Sequence, residues 1–211
     1  MSALAYTLLS DGSSDRMLMP AIDWLLGVHA ARPFAGQWAD LGRLPRPPKR
    51  IGERIEVALD LYPCDLLFIH RDAEHGTRAG RIAEIEKGLT AGFVRHWVPV
   101  IPVRMQEAWF LFDELALREA AGNPSGEIDL ALPPLKKVER IPDAKAVLEE
   151  ALRLASDLHG RHLARMKLGQ AKHRLSTLIS DFSPLRAVPA FTAFEVELVS
   201  TLAQNGWRRA A

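Results

Sequence analysis

The residues best suited to chemistry lie in one short stretch, Cys64 to Gly76, CDLLFIHRDAEHG, where an apolar run from Leu66 to Ile69 stops at His70, Arg71, Asp72, Glu74 and His75. Asp72 and Glu74 are two apart, so in extended backbone their side chains share a face and can grip one cation between them. Such a pair suits a phosphodiester, whose transferring phosphoryl charge is usually neutralised by Mg²⁺ on one or two carboxylates. Asp11 and Glu107 also stand where apolar runs end, and a third acid across a cleft can bind a second ion or move protons. Arg71, Arg104 and the histidines at 70 and 75 can hold phosphate. Plainer roles stand beside these: a solvated loop after a core strand, a helix-capping turn at Asp11, a first-turn acid at Glu107 and a salt-bridge partner in Arg104.

For these groups to meet, the elements before them must be neighbouring strands of one parallel sheet. The unbroken run Leu66–Ile69, bounded by Pro63 and Gly76, predicts a strand buried on both faces, and ligands of open α/β sheets sit beyond the carboxyl ends of such strands. Leu4 to Ser10 predicts a first strand. It runs into Asp11-Gly12-Ser13-Ser14-Asp15 and then a helix carrying Leu18, Ile22, Leu25 and Leu26, with Ser13 or Ser14 as N-cap. Phe34 to Leu41 gives a weakly signalled strand, and Ile51 to Leu61 a helix with Ile51, Ile55, Ala58 and Leu59 on one face. Thr77 to Phe93 predicts a further helix. Trp97 to Val103 predicts a strand whose two prolines point to an edge position or irregular pairing, and AWFLFDELALREA a helix. This alternation predicts an α/β fold, a mainly parallel sheet flanked by helices.

Residues 1–121 thus form the α/β core. Residues 122–142, rich in Pro, Gly and charge, form a linker or excursion, and residues 143–211 a helical C-terminal subdomain with Asp143 as a cap and helices over Gln170–Ile179 and Phe191–Leu202. Between Arg43 and Arg50 the prolines at 45, 47 and 48 exclude regular structure and leave a basic loop, which suits either phosphate contact or simple solvation.

Across 211 residues, 48% hydrophobic and 25% charged content is that of a globular protein, and a net charge of +1 supplies no global field for nucleic acid. The single cysteine, Cys64, cannot form an intrachain disulfide, which fits a reducing cytoplasm, and it suits a small core position better than a nucleophile. There is no apolar run near the roughly 20 residues needed to cross a bilayer, so a cytoplasmic protein without a membrane partner is expected. His29, His96, His159, His162 and His173 show no metal-site spacing; Trp24, Trp97 and Trp109 suit packing, and Trp38 and Trp207 suit packing or base stacking.

The arrangement resembles the TOPRIM fold, the catalytic module of topoisomerases, primases and OLD-family nucleases. Asp11-Gly12-x-x-Asp15 resembles that family's acidic-glycine turn, and His70-x-Asp72-x-Glu74-x-Gly76 its later acidic motif. VPVIPVRMQEAWFLFD, IPDAKAVLEEAL and VPAFTAFEVELVSTL look like the core of small bacterial TOPRIM-like proteins found in phage-defence settings. The resemblance implies a TOPRIM-like (Rossmann-like) sheet and a nuclease dependent on Mg²⁺ or Mn²⁺. In it Asp72 and Glu74, with His70, hold metal, Asp11 is general acid/base or second ligand, and Glu107 completes the acidic cluster. Arg71 and Arg104 hold the phosphate, and Arg46, Lys49 and Arg50 contact nucleic acid. A partner protein of a defence system and a homodimer are also within what it implies. Two departures matter: Asp11 stands where the family commonly has Glu, and His70 where it has the first metal-binding Asp, and imidazole suits Mn²⁺ or a transition metal better than Mg²⁺. A catalytically inactive TOPRIM-like subunit, recognising a partner protein or nucleotide, is therefore the alternative.

Overall fold

Strands β1 (Leu4–Leu9), β2 (Phe34–Trp38), β3 (Leu66–His70) and β4 (His96–Val100) pair in parallel throughout, in the order β2-β1-β3-β4, in the computed structural model, which describes residues 2–73, 76–89 and 96–210. Every residue of β3 is buried, as its apolar run requires, and β4 with its proline lies at the edge. Helices α1 (Met19–His29), α2 (Ile51–Leu61) and α3 (Arg78–Gly88) are the three crossovers. The chain moves one way across the sheet from β1 to β2 and the other way from β2 to β3 and from β3 to β4. Right-handed crossovers then require α1 on one face and α2 and α3 on the other. The packing agrees: Leu67, Ile69 and Leu9 meet Ile55, Ala58 and Ile85, whereas Tyr6, Leu8 and Phe68 belong to the core that holds Ile22 and Leu25.

Helices α4 (Glu114–Ala120), α5 (Ala144–Ser156), α6 (Gly160–Ala164), α7 (Leu168–Leu178) and α8 (Pro189–Gln204) complete the chain. Leu117, Leu148, Leu152, Leu175, Phe194 and Leu198 share one core with β1, β3 and β4, so these helices make a layer on the α1 face of the sheet. The rings of Phe68 and Phe194 meet edge-on at 6.0 Å, which ties α8 to the middle of the sheet. The 122–142 excursion is held at both ends: Arg118 donates to the Ile128 carbonyl at 2.7 Å, and Glu139 accepts from the Ala190 N–H at 2.8 Å.

Three local expectations change. Ser13 and Ser14 do not cap α1; a 3-10 turn, Ser13–Leu18, intervenes, and Asp15 accepts from the Gly12 N–H at 2.8 Å to close it. The AWFLFDELALREA segment is not one helix but a 3-10 turn, Gln106–Phe110, followed by α4, because Asp113 accepts from the Ala116 N–H and restarts the helix. The helix after Gly76 ends at Gly88, and its expected end at Phe93 lies outside the described residues. The remaining boundaries agree within a few residues, and Asp143 caps α5 as expected.

Candidate active site

The strand order reverses between β1 and β3, and there the chain leaving one strand on the left and the other on the right opens a crevice. Register places Leu9 beside Ile69 and His70 beside Val100, so the residues after β1 and after β3 emerge side by side. A cleft of about 320 Å³ opens here, lined by Asp11, Gly12, Ser14, Asp15, His70, Arg71, Asp72 and Arg81.

His70 organises its floor. The side chain is buried, and Nδ1 stands 3.0 Å from the Val100 carbonyl, an acceptor only, so Nδ1 carries the proton and the lone pair of neutral imidazole sits on Nε2. Nε2 faces two carboxylates, Asp72 Oδ1 at 3.6 Å and Asp15 Oδ2 at 3.9 Å. Burial drives the His70 pKa down, with Arg71 helping, against the pull of Asp15, the Val100 carbonyl and Asp11. Asp15 is held by the Gly12 N–H at 2.8 Å, Gln106 Nε2 at 2.7 Å and Ser14 Oγ at 3.0 Å.

Asp72 is poorly satisfied by comparison. Its Oδ1 is buried without a hydrogen bond, and its pKa is raised from the usual 3.8 to about 8. Burial is the main cause, followed by Asp15, Glu107 and Asp11, with the Gln106 backbone N–H opposing them. Near neutral pH this carboxyl therefore holds a proton, as groups adapted to proton or cation exchange in a cleft often do.

Asp11 stands at the mouth. It is ion-paired with Arg54, and its Oδ2 lies 3.3 Å from Arg71 Nε, within ion-pair range although not aligned as a hydrogen bond. Arg71 also meets Glu84 at 3.1 Å, and Arg81 donates to the Asp72 carbonyl at 3.0 Å and to Glu84 at 2.8 Å. Glu107 is buried behind Asp72, its Oε1 3.6 Å from Lys172 Nζ, and it acts on Asp72 through its charge without lining the cleft. Arg104 follows β4 with a left-handed backbone, φ 62°, makes no ion pair among the described residues and lines no part of this cleft. Arg46, Lys49 and Arg50 are exposed outside it, Arg50 lying 4.0 Å from Glu53. Glu74 and His75 lie outside the described residues.

The site thus gathers His70, Arg71, Asp72 and Asp11, leaves Arg104 and the basic loop apart, and adds residues that the candidate list lacked. Asp15 is the chief of these. It belonged to the acidic-glycine motif, and its four-residue spacing from Asp11 across Gly12 was the available signal. Gln106, which binds Asp15 through its side chain and Asp72 through its backbone, carried no sequence signal. No three His, Cys, Asp or Glu side chains among the described residues form a ready-made metal site; Asp15, His70 and Asp72 are the ones placed to hold a cation. In kind, an imidazole nitrogen with two carboxylates fits Mn²⁺ better than Mg²⁺.

The fold and site define a class: an α/β protein with an all-parallel sheet flanked by helices, carrying an acid–histidine cluster at the switch point. Compared with protein-family models, with curated proteins and with solved structures, the chain matches none. No helix among the described residues is long and apolar enough to cross a membrane.

Proposed function

We propose that this chain is a divalent-metal-dependent phosphodiesterase of TOPRIM-like fold, most naturally a nuclease, with Asp15, His70 and Asp72 as the cation's donors. The observation that carries this reading is the unsatisfied carboxylate oxygen at the cleft floor. Asp72 Oδ1 is buried without a hydrogen bond, His70 Nε2 faces it at 3.6 Å, and both lie beside Asp15. A cation would compensate the burial and the neighbouring negative charge that raise the Asp72 pKa, and would give Asp72 Oδ1 a partner. Bound there, it would neutralise charge on a phosphoryl group. Glu74, two residues from Asp72, is a further donor of the same motif. Arg71 and Arg81 bind the phosphate from the α3 side, and Asp11, poised between Arg54 and Arg71, is the group placed to move a proton at the mouth.

The test is turnover of bis(p-nitrophenyl) phosphate and of a fluorescent oligonucleotide with Mn²⁺ and with Mg²⁺. Asp72→Asn should abolish metal-dependent cleavage and leave the fold intact; full turnover in that variant refutes the mechanism. One observation favours the second reading, a catalytically silent TOPRIM-like subunit of a defence system: the Asp11 carboxylate is already engaged by two guanidinium groups. Calorimetry with Mn²⁺ separates the two. Saturable heat lost in Asp72→Asn supports the enzyme, and no heat at millimolar metal supports the silent subunit.

A further inference from the structure

Beside the acidic cleft, and sharing Asp11, Gly12 and Ser14 with it, a larger cleft of about 770 Å³ opens over the ends of β1 and β2. None of Asp15, His70 and Asp72 lines it, and the Asp11–Arg54 ion pair stands as the partition between the two. Its size falls in the middle of the roughly 300–1,000 Å³ range of small-molecule sites.

The lining divides by chemistry. Met17, Ala39 and Leu41 are buried apolar residues, and beside them Trp38 is pinned by its Nε1–H, which donates to Ser10 Oγ at 2.9 Å. An indole anchored beside apolar lining residues can serve a planar ring as a stacking surface, sequence-tolerant because every nucleobase has a π face. The polar side holds two closed ion pairs, Arg43–Asp40 and Arg54–Asp11, with Arg16 and Lys172 beside them. Arg16 is exposed and makes no ion pair among the described residues, so it is available to an incoming anion without first losing a partner. Lys172 is nearly buried and held by two carboxylates, Glu149 at 3.1 Å and Glu107 at 3.6 Å, so its charge is neutralised within the fold.

An anchored indole and one guanidinium without an acidic partner among the described residues, in a cleft of this volume, suit one nucleotide. We propose that the larger cleft binds a single nucleoside monophosphate, its base on the Trp38 side and its phosphate toward Arg16, and that it does so without metal. The inference goes beyond the phosphodiesterase reading and survives its failure, because the nucleotide contacts, Trp38 and Arg16, line only the larger cleft, and the cation donors, Asp15, His70 and Asp72, line only the smaller one.

The experiment is calorimetric titration of the whole chain, in EDTA, with AMP and separately with inorganic phosphate. AMP should bind saturably below about 1 mM, and phosphate alone should bind at least about tenfold more weakly. Gly169→Leu supplies a steric test. Gly169 lines the cleft near the start of α7, and a Cβ built there meets no heavy atom within 4 Å, so the added side chain grows into open space while favouring the helix. Gly169→Leu and Arg16→Ala should each weaken AMP binding about tenfold or more, and Asp72→Asn should leave it unchanged. Absence of AMP binding at 1 mM, phosphate binding as tight as AMP, or AMP binding indifferent to Gly169→Leu each overturns the proposal. Loss of AMP binding in Asp72→Asn overturns the placement, since the nucleotide would then sit in the acidic cleft.

Discussion

Asp72 costs the fold stability, and replacing it should make the protein more stable. In the unfolded chain the carboxyl titrates near 3.8; in the folded protein it titrates near about 8. The folded state therefore favours the protonated form. The contribution of this one group to stability is greatest below pH 3.8, falls as pH rises between the two values, and is flat above about 8. At about 1.4 kcal/mol per pH unit the full difference corresponds to at most about 6 kcal/mol. The side chain is 28% exposed, so water drawn to the ionised group screens part of this, and about 2–3 kcal/mol is the expected observable. Asn keeps an oxygen for the Gln106 N–H, turns an N–H₂ toward the His70 Nε2 lone pair, and never ionises. The measurement is urea unfolding of wild type and Asp72→Asn at pH 4.5, 6.0 and 7.5. The groups facing Asp72, namely Asp11, Asp15, His70, Arg71, Arg81 and Glu107, are present in both proteins, so their own titrations largely cancel in the difference. The stability curves should nearly meet at pH 4.5 and separate by pH 7.5 in favour of Asn. That gap amounts to a Tm difference of about 5–10 °C for a chain of this size. Parallel curves, or a variant less stable at every pH, would show that Asp72 is not held against its ionisation and would remove the electrostatic basis of the site.

Other outcomes follow from the same geometry. Millimolar Mn²⁺ should raise the Tm of wild type but not of Asp72→Asn, measured by differential scanning fluorimetry; equal shifts would place the ion elsewhere. Gly36→Ala should destabilise by about 3 kcal/mol or more, because the new Cβ would fall 2.1 Å from Tyr6 Cζ in the core, and a change under about 0.5 kcal/mol in urea unfolding would contradict the β1–β2 register. Lys172→Met should cost about 2–3 kcal/mol by leaving Glu107 buried beside an apolar side chain, and adding Glu107→Gln should recover most of it; strictly additive losses would mean that the two do not interact.

Much of the fold was legible because it depends on local patterns. The run Leu66–Ile69 could only be a doubly buried strand, α2 matched its apolar spacing to the residue, and the prolines near Val98 marked an edge. What failed locally was a competition between neighbours. Asp15 closes its own turn instead of leaving the cap to Ser13 or Ser14, and Asp113 interrupts a pattern whose apolar residues alone favour one long helix.

The site was legible in kind but not in assignment, and the reason lies in the turn after β1. Sequence spacing brings Asp11 and Asp15 to the same strand end but cannot tell which carboxylate turns inward. That choice is made by partners remote in sequence: Arg54 and Arg71 draw Asp11 to the mouth, while Gln106, supplied from beyond β4, fastens Asp15 beside His70. The same remoteness explains Lys172, one of two cations of α7 in the sequence, until the fold packs it against Glu107. A sheet delivers its strand ends to one edge by topology, and so acids after β1 and β3 could be expected together. Which of them is solvated, paired or left unsatisfied depends on side chains from the opposite helical layer, and here Asp72 Oδ1 is the carboxylate oxygen left buried without a hydrogen bond.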